Sequence, residues 1–220
     1  MPTHYEFRFE NTSFIATAHR ALWWPSEGIV LIADLHAGKA EHFRRAGIAI
    51  PRGNLEADLQ RLSDIVAETN PKRLIILGDI FHSQINSEMD VLAAWVRAQN
   101  CTVELVRGNH DRYISDEQFS QSNILVHIEP YAVGGFMLSH HPKAAGIQDE
   151  TAWISGHIHP VYRLYGPGRD VLRLACFWQY DKQLILPSFG SFTGGEEIKR
   201  QQSLKIICCT PGYETIFRAY

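Results

Sequence analysis

The chain has 220 residues, of which 45% are hydrophobic and 20% are charged, and its formal net charge is −3. This composition is typical of a globular protein and argues against disorder or a repeat array, and the length fits one domain over residues 1–220. The negative charge argues weakly against a protein that coats nucleic acid, which would normally be basic. It does not exclude an enzyme acting on phosphates, because bound dications would reverse the charge locally.

The chain shows no pattern of a membrane-targeting segment. Met1 to Arg8 lacks the basic stretch and apolar run of a signal peptide, and no apolar segment reaches the roughly 18 residues needed to cross a bilayer. The cysteines have neither the spacing of a metal site nor the density of a secreted scaffold. They are Cys101, Cys176, Cys208 and Cys209. We therefore expect a reducing, cytoplasmic setting, with adjacent Cys208 and Cys209 on opposite faces of a strand.

The first half of the chain alternates short apolar runs with helical patterns. The runs Gly28–Ala33, Arg73–Leu77 and Thr102–Val106 are rich in branched side chains, and each is followed by polar residues, which predicts buried strands. Apolar residues at helical spacing predict helices over Asn54–Thr69 and Ser87–Gln99. The order strand–helix–strand–helix–strand indicates a largely parallel α/β sheet.

The second half is instead dominated by short strands separated by Gly and Pro turns. Another buried strand is predicted at Ala152–Ser155. Further strand structure is predicted at 131–139 around the turn Gly134-Gly135, and at 161–165, 171–180, 183–186, 204–209 and 213–217. These strands predict a second, more antiparallel sheet packed on the first. The predicted fold class is therefore α/β, a sandwich of two mixed β-sheets flanked by helices.

Several predicted strands are followed by residues of the types that bind metals. These clusters are Asp34-Leu35-His36, Gly78-Asp79, Gly108-Asn109-His110-Asp111, His140-His141 and Gly156-His157-Ile158-His159. Because the carboxyl ends of the strands of an α/β sheet converge on one edge, these side chains are expected to meet there. Alternate residues in Asp-x-His and His-x-His point to the same side, and the glycines permit tight turns that bring the backbone close to a ligand.

The chemistry of these clusters favours a pair of divalent metal ions. Carboxylate, amide and imidazole donors suit Mn²⁺, Fe or Zn²⁺, and the absence of cysteine disfavours a structural zinc. Any one of these histidines alone is more often a surface or core residue than a ligand. Six of the eleven histidines, however, lie in the clusters, and their shared position after strands makes chance a poor explanation. We therefore expect a pair of divalent ions, which could be Mn²⁺, Fe or Zn²⁺.

Together the clusters resemble the signature of the calcineurin-like metallophosphoesterase superfamily. The resemblance covers roughly residues 30–160 and implies a metallophosphoesterase-type sandwich that hydrolyses phosphate esters. By this resemblance, one metal ion would be held by Asp34, His36, Asp79 and His159. The other would be held by Asp79, Asn109, His140 and His157. Asp79 would then bridge the two ions, and His141 is the alternative to His140.

The same arrangement suggests how the reaction proceeds. Two metal ions about 3.5–4 Å apart can hold a bridging hydroxide as nucleophile and polarise the phosphoryl oxygens. The leaving oxygen then needs a proton. His110 lies beside Asn109 and is not needed as a ligand, so it is expected to act as general acid. Asp111 is a candidate to orient it.

Two narrower resemblances, both to DNA nucleases, indicate a nucleic-acid substrate. Residues Gly78–His82 are similar to the Gly-Asp-x-Phe-His form of DNA nucleases of the SbcD type, which implies that His82 helps to position the phosphodiester; a buried, supporting His82 is the alternative. Segments 34–40, 43–51 and 186–195 resemble PdeM, the bacterial ligase-associated DNA damage response endonuclease family. The resemblance then spans about residues 28–195. It implies DNA as a partner, together with repair proteins of the ligase or helicase type.

Other residues near these segments leave alternatives open. A basic group after the first cluster could contact a phosphate backbone or form a solvated helix face. Its members are Lys39, Arg44, Arg45 and Arg52. Trp23, Trp24 and Trp178 could stack on bases, but packing explains them better. The Phe189–Gly195 loop could close over the metals or be a tight turn between strands.

The sequence therefore predicts a Mn²⁺-dependent phosphodiesterase, and DNA endonuclease activity in the bacterial DNA damage response fits it best. A small-molecule phosphodiesterase or phosphatase with the same site is the main alternative. A repair-complex scaffold with a vestigial metal site is the alternative from another class. No ligand of the superfamily pattern is missing, which disfavours the scaffold.

Overall fold

The computed structural model describes residues 2–39, 43–44, 47–49, 53–81, 87–144, 146, 150–168 and 170–220. Within these ranges the helices are α1 (Asn54–Thr69), α2 (Ser87–Arg97) and α3 (Asp116–Gln121). The strands are β1 (His4–Phe9), β2 (Thr12–Thr17), β3 (Leu22–Trp24), β4 (Ile29–Ala33), β5 (Arg73–Leu77), β6 (Thr102–Val106), β7 (Ile124–His127), β8 (Tyr131–Val133), β9 (Phe136–Ser139), β10 (Ala152–Ser155), β11 (Pro160–Tyr165), β12 (Val171–Tyr180), β13 (Gln183–Ile185), β14 (Glu196–Glu197), β15 (Lys205–Cys209) and β16 (Ile216–Arg218). Short 3₁₀ turns lie at His110–Tyr113, Arg200–Gln202 and Pro211–Tyr213.

The first sheet has the strand order β1-β2-β3-β4-β5-β6-β7. Strands β1 to β4 pair antiparallel, and β4 to β7 pair parallel. The predicted parallel strands β4, β5 and β6 are confirmed, with Ile29 beside Arg73 and Arg73 beside Thr102. The antiparallel extension β1–β3 was not predicted, because β1 and β2 mix polar and apolar residues and β3 is only three residues long.

Strand β4 shows why the predicted run is apolar throughout. All five of its residues are buried. Ile29, Leu31 and Ala33 contact the core between the two sheets, whereas Val30 and Ile32 contact the core beneath the helices. A parallel strand covered on both faces needs apolar residues at every position. The continuous run therefore follows from burial on two sides.

The two longer helices match their predictions closely. Helix α1 has the predicted bounds and ends at the left-handed residue Asn70, whose amide donates to the carbonyl of Val66 at 2.9 Å. Helix α2 ends at Arg97, two residues before the predicted end. The amides of Ala98 and Gln99 donate to carbonyls three residues back rather than four, so the last turn tightens and the α-helix stops.

The second sheet has the strand order β14-β11-β12-β13-β10-β9-β8, and β15 and β16 continue from β12. Most neighbours are antiparallel, as predicted, but β10 is parallel to both β9 and β13, and β11 is parallel to β14. The strand structure predicted at 131–139 around Gly134 and Gly135 is the hairpin of β8 and β9, which pair antiparallel. Strand β16 begins at Ile216 rather than residue 213, because Pro211–Tyr213 forms a 3₁₀ turn.

The two sheets pack face to face around the main core, which confirms the α/β sandwich of two mixed sheets. Trp24 belongs to that core, with its ring 5.2 Å from the rings of Phe14 and Phe136. The Trp178 indole donates to Ser203 Oγ at 3.0 Å, so packing explains both tryptophans. The adjacent Cys208 and Cys209 are buried in different clusters, as predicted for opposite faces of a strand. No helix among the described residues is long and apolar enough to cross a bilayer.

Candidate metal centre

Five predicted strand ends meet at one edge of the sandwich: those of β4, β5 and β6 in the first sheet and of β9 and β10 in the second. Backbone hydrogen bonds tie their turns together. The amide of His36 donates to the carbonyl of Asp79 at 2.9 Å, and the amide of Gly156 donates to the carbonyl of His140 at 3.1 Å. The side chains that meet here form what we call the donor cluster. Its members are Asp34, His36, Asp79, Asn109, His140, His157 and His159.

Much of the donor cluster has a strained backbone. Five of its residues have a positive φ, in the left-handed region that side chains other than glycine rarely adopt. They are Asp34 (55°), His36 (50°), Asp79 (49°), His157 (70°) and His159 (50°). Each such residue costs on the order of 1–3 kcal/mol and persists only where the surrounding fold enforces it. Strain concentrated in this way is typical of a functional site.

Two glycines let the turns approach each other. A Cβ atom on Gly78 would overlap the ring of His140, and one on Gly156 would lie 2.5 Å from Asp34 Oδ2. Both positions therefore require glycine for a close approach between segments from different strands. This agrees with the sequence-based prediction that these glycines bring the backbone close to the site.

One half of the donor cluster consists of Asp34, His36 and His159. The His159 Nε2 atom lies 3.2 Å from Asp34 Oδ1 and 3.4 Å from His36 Nε2. His159 Nδ1 lies 3.3 Å from the carbonyl of Gly194, which would accept a proton from Nδ1 and leave the Nε2 lone pair facing the cluster. Asp34 Oδ1 is buried and accepts no hydrogen bond among the described residues. Such an orphaned acceptor beside imidazole nitrogens fits a metal ligand.

The other half contains Asn109, His140 and His157. His140 Nε2 lies 2.9 Å from Asn109 Oδ1 and 2.9 Å from His157 Nδ1. His140 Nδ1 lies 3.2 Å from the carbonyl of Leu77, which fixes the ring with Nε2 turned inward. These three side chains bring one amide oxygen and two ring nitrogens to a single point.

Asp79 lies between the two halves. Its Oδ2 atom is 3.9 Å from His36 Nε2 in one half and 3.5 Å from His140 Nε2 in the other. Its Oδ1 atom accepts a hydrogen bond from the amide of His110 at 2.9 Å. One carboxylate oxygen therefore faces both halves, which is the position that a shared ligand needs.

Three imidazoles of the cluster favour the neutral form. Burial lowers the pKa of His36 to about 3, and burial also lowers the pKa values of His140 and His157. A neutral imidazole offers a lone pair to a metal ion.

The two carboxylates of the cluster differ. Burial raises the pKa of Asp34, but interactions with His159, His140 and His36 outweigh it and lower that pKa. Burial, the largest cause, raises the pKa of Asp79, and the nearby Asp34 carboxylate raises it further. Lys39, at the rim, is close enough for its charge to interact with both carboxylates. Oxygen and nitrogen donors without cysteine suit Mn²⁺, Fe or Zn²⁺. The residues present therefore fit divalent metal ions.

Asp111 has a different role from the one expected. It is fully buried, and its carboxylate accepts hydrogen bonds from the amides of Gly108 (2.9 Å), Asp79 (2.8 Å) and Ile80 (3.0 Å). Burial raises the pKa of Asp111 to about 6 despite these bonds. Because both oxygens are committed to backbone amides, Asp111 holds the turn that carries Asp79 rather than orienting the His110 ring.

His110 lies at the open edge of the cluster. Its side chain is 37% exposed, and its Nε2 atom lies 3.9 Å from Asp79 Oδ2. Its ring meets the His36 ring edge-on, with the centroids 5.5 Å apart. The ring thus reaches both the cluster and solvent, as a proton donor to a bound molecule must.

The adjacent histidines 140 and 141 occupy different environments. The His140 side chain is fully buried inside the cluster. The His141 side chain is 43% exposed, and its Nδ1 atom lies 2.6 Å from Glu129 Oε1. His141 remains near enough to His140 and His157 for the three to share an ion. The geometry nevertheless favours His140, which faces Asn109 directly.

Part of the predicted basic group can be located. Lys39 is half-buried, and its amide donates to the carbonyl of His36 at 3.1 Å. Arg44 Nη2 lies 3.7 Å from Glu88 Oε1. His82, Arg45 and Arg52 lie outside the described residues, so their predicted roles stay predictions.

The segment around the Phe189–Gly195 loop supports the donor cluster. The Ser188 hydroxyl donates to the Asp34 carbonyl at 2.9 Å, and the amide of Gly190 donates to the same carbonyl at 3.1 Å. The Phe189 amide donates to the carbonyl of Ala33 at 2.8 Å. These contacts stabilise the left-handed turn at Asp34.

Helix α1 in turn holds this loop through a pair of charges that the sequence analysis missed. The amide of Ser191 donates to Asp58 Oδ2 at 3.0 Å, and Arg61 lies 3.2 Å from Asp58 Oδ1. Arg61 also donates to the carbonyl of Phe189. Both charged side chains are buried. Their signal in the sequence was the placement of charges among the apolar positions of α1.

Comparisons with known proteins agree with this geometry. A family model described as calcineurin-like phosphoesterase matches residues 28–209. The chain is similar to the crystal structure of nuclease MPE from Pseudomonas putida, with 33% sequence identity, coverage of 98% of this chain and 99% of that chain, and a TM-score of 0.80. A 137-residue stretch, 60% of this chain, is 29% identical to a Xenopus laevis protein named electron transfer flavoprotein beta subunit lysine methyltransferase. The match spans about half of that curated relative, 52% of its length.

Proposed function

The chain belongs to the calcineurin-like phosphoesterase family, and from this premise we propose that it is a two-metal phosphodiesterase that cleaves DNA. The observation that carries the proposal is the position of Asp79 Oδ2 between two groups of donor atoms. Similarity to a bacterial nuclease over 98% of the chain favours a nucleic-acid substrate. Methyl transfer is not proposed, because the frog protein matches over only 137 residues and the donor cluster consists of metal-ligand types.

In this proposal each half of the donor cluster holds one divalent ion, with Mn²⁺ preferred. One ion takes Asp34, His36, Asp79 and His159, and the other takes Asp79, Asn109, His140 and His157. When bound, the pair supplies a nucleophilic water and neutralises charge on the phosphate. The chain contributes rings that are already oriented, because the carbonyls of Leu77 and Gly194 lie within hydrogen-bond distance of the Nδ1 atoms of His140 and His159.

His110 is the proposed general acid. Its ring is partly exposed at the rim and lies 3.9 Å from Asp79 Oδ2, so it can reach the leaving oxygen of a phosphate seated on the cluster. The backbone amide of His110 is fixed by its hydrogen bond to Asp79 Oδ1 at 2.9 Å. A proton given to the leaving oxygen converts a poor leaving group into an alcohol, which is the main need when that group is a deoxyribose hydroxyl.

Lys39 is proposed to attract the substrate. It lies next to the donor cluster, and burial is the largest cause that lowers its pKa, against the opposing effect of Asp34 and Asp79. Partner proteins of the DNA ligase or helicase type, and a role in the bacterial DNA damage response, remain predictions from the family resemblance. Supporting contacts from Asp111 and the Ser188 hydroxyl are proposed to keep the strained turns in place.

The proposal is tested by assaying purified protein with Mn²⁺ on single-stranded DNA, duplex DNA and a nitrophenyl phosphodiester. We expect cleavage of DNA in at least one form, and slower DNA cleavage by Lys39→Gln. Lys72→Gln is the matched control, because Lys72 is exposed and precedes the opposite end of β5. Turnover of the small diester with no DNA cleavage would favour the small-molecule alternative and reject the DNA substrate.

A further inference from the structure

A cavity lies beside the donor cluster. Its volume is about 200 Å³, and His159 forms part of its wall. The remaining wall comes from the turn before β3, from β11 and β12, and from the Phe189–Gly195 loop. Two arginines, Arg20 and Arg173, line it, and none of the described residues in its lining is a carboxylate. The cavity therefore carries positive charge.

Arg20 has donors that the protein does not use. Its Nη1 atom donates to the carbonyl of Ser188 at 3.3 Å, and its guanidinium lies 5.0 Å from the centre of the Tyr213 ring. Its Nε atom is buried and donates to no acceptor among the described residues. A buried donor without an acceptor costs roughly 1–3 kcal/mol. Arg20 thus places at the cavity wall a guanidinium whose hydrogen-bonding capacity the described residues fill only in part.

Arg173 differs from the arginine opposite it. Arg163 and Arg173 face each other in the register of β11 and β12, but Arg163 forms an ion pair with Glu197 at 2.8 Å. Arg173 donates instead to a neutral acceptor, the carbonyl of Gly195, at 3.3 Å. It is exposed at the cavity. The positive charge of Arg173 is thus available to an anion.

We propose that this cavity, which we call the arginine pocket (Arg20, Arg173 and His159), binds a second phosphate of the substrate strand, adjacent to the phosphate that is cleaved. The inference rests on the proposed function. Guanidinium groups present planar forks of donors that match phosphate oxygens. A single-phosphate ester would leave the pocket unfilled.

The location of the pocket explains why the second phosphate belongs to the same strand. His159 lines the pocket and also lies 3.2 Å from Asp34 Oδ1 in the donor cluster. A ligand in the pocket is therefore a direct neighbour of a ligand on the cluster. A polynucleotide carries phosphates on both sides of the one that is cleaved, so it can fill both positions at once.

Binding without metal tests the pocket separately from catalysis. Fluorescein-labelled oligothymidylate is titrated with metal-free protein, and anisotropy is followed at several salt concentrations. We expect Arg173→Gln to weaken binding about tenfold and to lower the salt slope by about one. Arg8→Gln, an exposed arginine on β1 outside the pocket lining, should leave both unchanged. Equal affinity and equal slopes for wild type and Arg173→Gln would overturn the proposal.

A kinetic comparison tests whether the arginine pocket binds the second phosphate of a nucleotide chain. Nitrophenyl esters of thymidine 5′-phosphate and 3′-phosphate are compared with the same esters extended by one nucleotide, which adds a second phosphate. We expect a KM about tenfold lower for the extended ester in one polarity, and an advantage of about twofold or less in Arg173→Gln. No advantage in either polarity, or an equal advantage in the variant, would reject the pocket. An advantage without any DNA cleavage would keep the pocket and reject DNA as the substrate.

Discussion

Two groups of polar side chains on the parallel strands of the first sheet hold their charges in different ways. The donor cluster lies at the carboxyl ends. The Glu104 cluster is formed by Glu104 in the middle of β6 together with Arg73, His127 and Tyr131. Arg73 donates to the Glu104 carboxylate at 2.5 and 2.8 Å, and His127 Nε2 lies 2.7 Å from it. The Tyr131 hydroxyl lies 2.9 Å from Arg73 Nη2.

The two groups differ in whether they balance their own charge. Burial raises the pKa of Glu104, but hydrogen bonds and charge from Arg73 and His127 outweigh it and hold that pKa below its usual value. In the donor cluster, burial lowers the pKa values of His36, His140 and His157, and burial raises the pKa of Asp79. A buried polar group stabilises a fold when its neighbours supply hydrogen bonds and opposite charge. Donor atoms that face one another without a cation instead need a ligand.

The largest effect is expected for Asp79→Asn. This change removes the charge of the oxygen that faces both halves of the donor cluster. Because bound metal ions supply several kcal/mol of stabilisation, we expect the rate to fall by at least about 10³-fold. Metal content, measured by plasma emission spectrometry, should drop below that of His36→Ala, which affects one half only. Two ions per chain in Asp79→Asn would contradict the shared ligand.

A smaller effect is expected for His110→Ala, which should separate chemistry from metal binding. The variant should keep its metal ions but lose about 10²–10³-fold in rate on DNA, because no group then protonates the leaving oxygen. The loss should shrink for a nitrophenyl diester, whose leaving group barely needs the proton. Single-turnover rates on both substrates measure this. Equal losses would make His110 a positioning residue.

Asp111→Asn tests whether Asp111 positions the ligands of the donor cluster. The amide that replaces one carboxylate oxygen cannot accept from the backbone amides of Asp79 and Gly108, which Asp111 now satisfies. We expect Mn²⁺ affinity, measured by calorimetry, to fall about 10–100-fold. The control is Asp116→Asn, whose side chain is 82% exposed. A Kd within about twofold of the control would show that Asp111 does not position the ligands.

The smallest effect on activity is expected for Glu104→Gln. Mn²⁺ binding should be unchanged, because the hydrogen bonds of Glu104 are made to Arg73 and His127 and to no member of the donor cluster. Stability at pH 7 should instead fall by about 3 kcal/mol, since Arg73 loses its buried partner. Urea unfolding measures the change, and Glu27→Gln, at an exposed position, is the control. A loss no larger than that of the control would contradict a stabilising role.

The ion pair between Glu104 and Arg73 also predicts how stability depends on pH. The folded-state pKa of Glu104 is lowered from 4.5, so the ionised carboxylate stabilises the protein above that value. This contribution is lost as the pH falls through the folded-state pKa. The wild type should therefore lose stability in acid more steeply than Glu104→Gln. Parallel stability curves for the two proteins below about pH 4.5 would contradict it.

The sequence predicted the features that depend on local pattern. The spacing in α1 predicted its bounds, and the apolar run of β4 predicted its bounds to within one residue. The residues that follow each strand predicted the location of the donor cluster. It did not predict contacts between distant segments. Asp111 binds amides of a turn from another strand, and Asp58 of α1 binds a loop more than 100 residues away. Local periodicity carries no information about such pairings.

The most direct measurement is electron paramagnetic resonance of metal-free protein titrated with Mn²⁺. The donor cluster predicts that two ions bind per chain and give the spectrum of an exchange-coupled pair, because Asp79 Oδ2 faces both halves. Asp79→Asn should abolish that spectrum, and Glu104→Gln should leave it unchanged. Saturation at one ion per chain, or two ions with independent spectra, would contradict a shared two-metal centre.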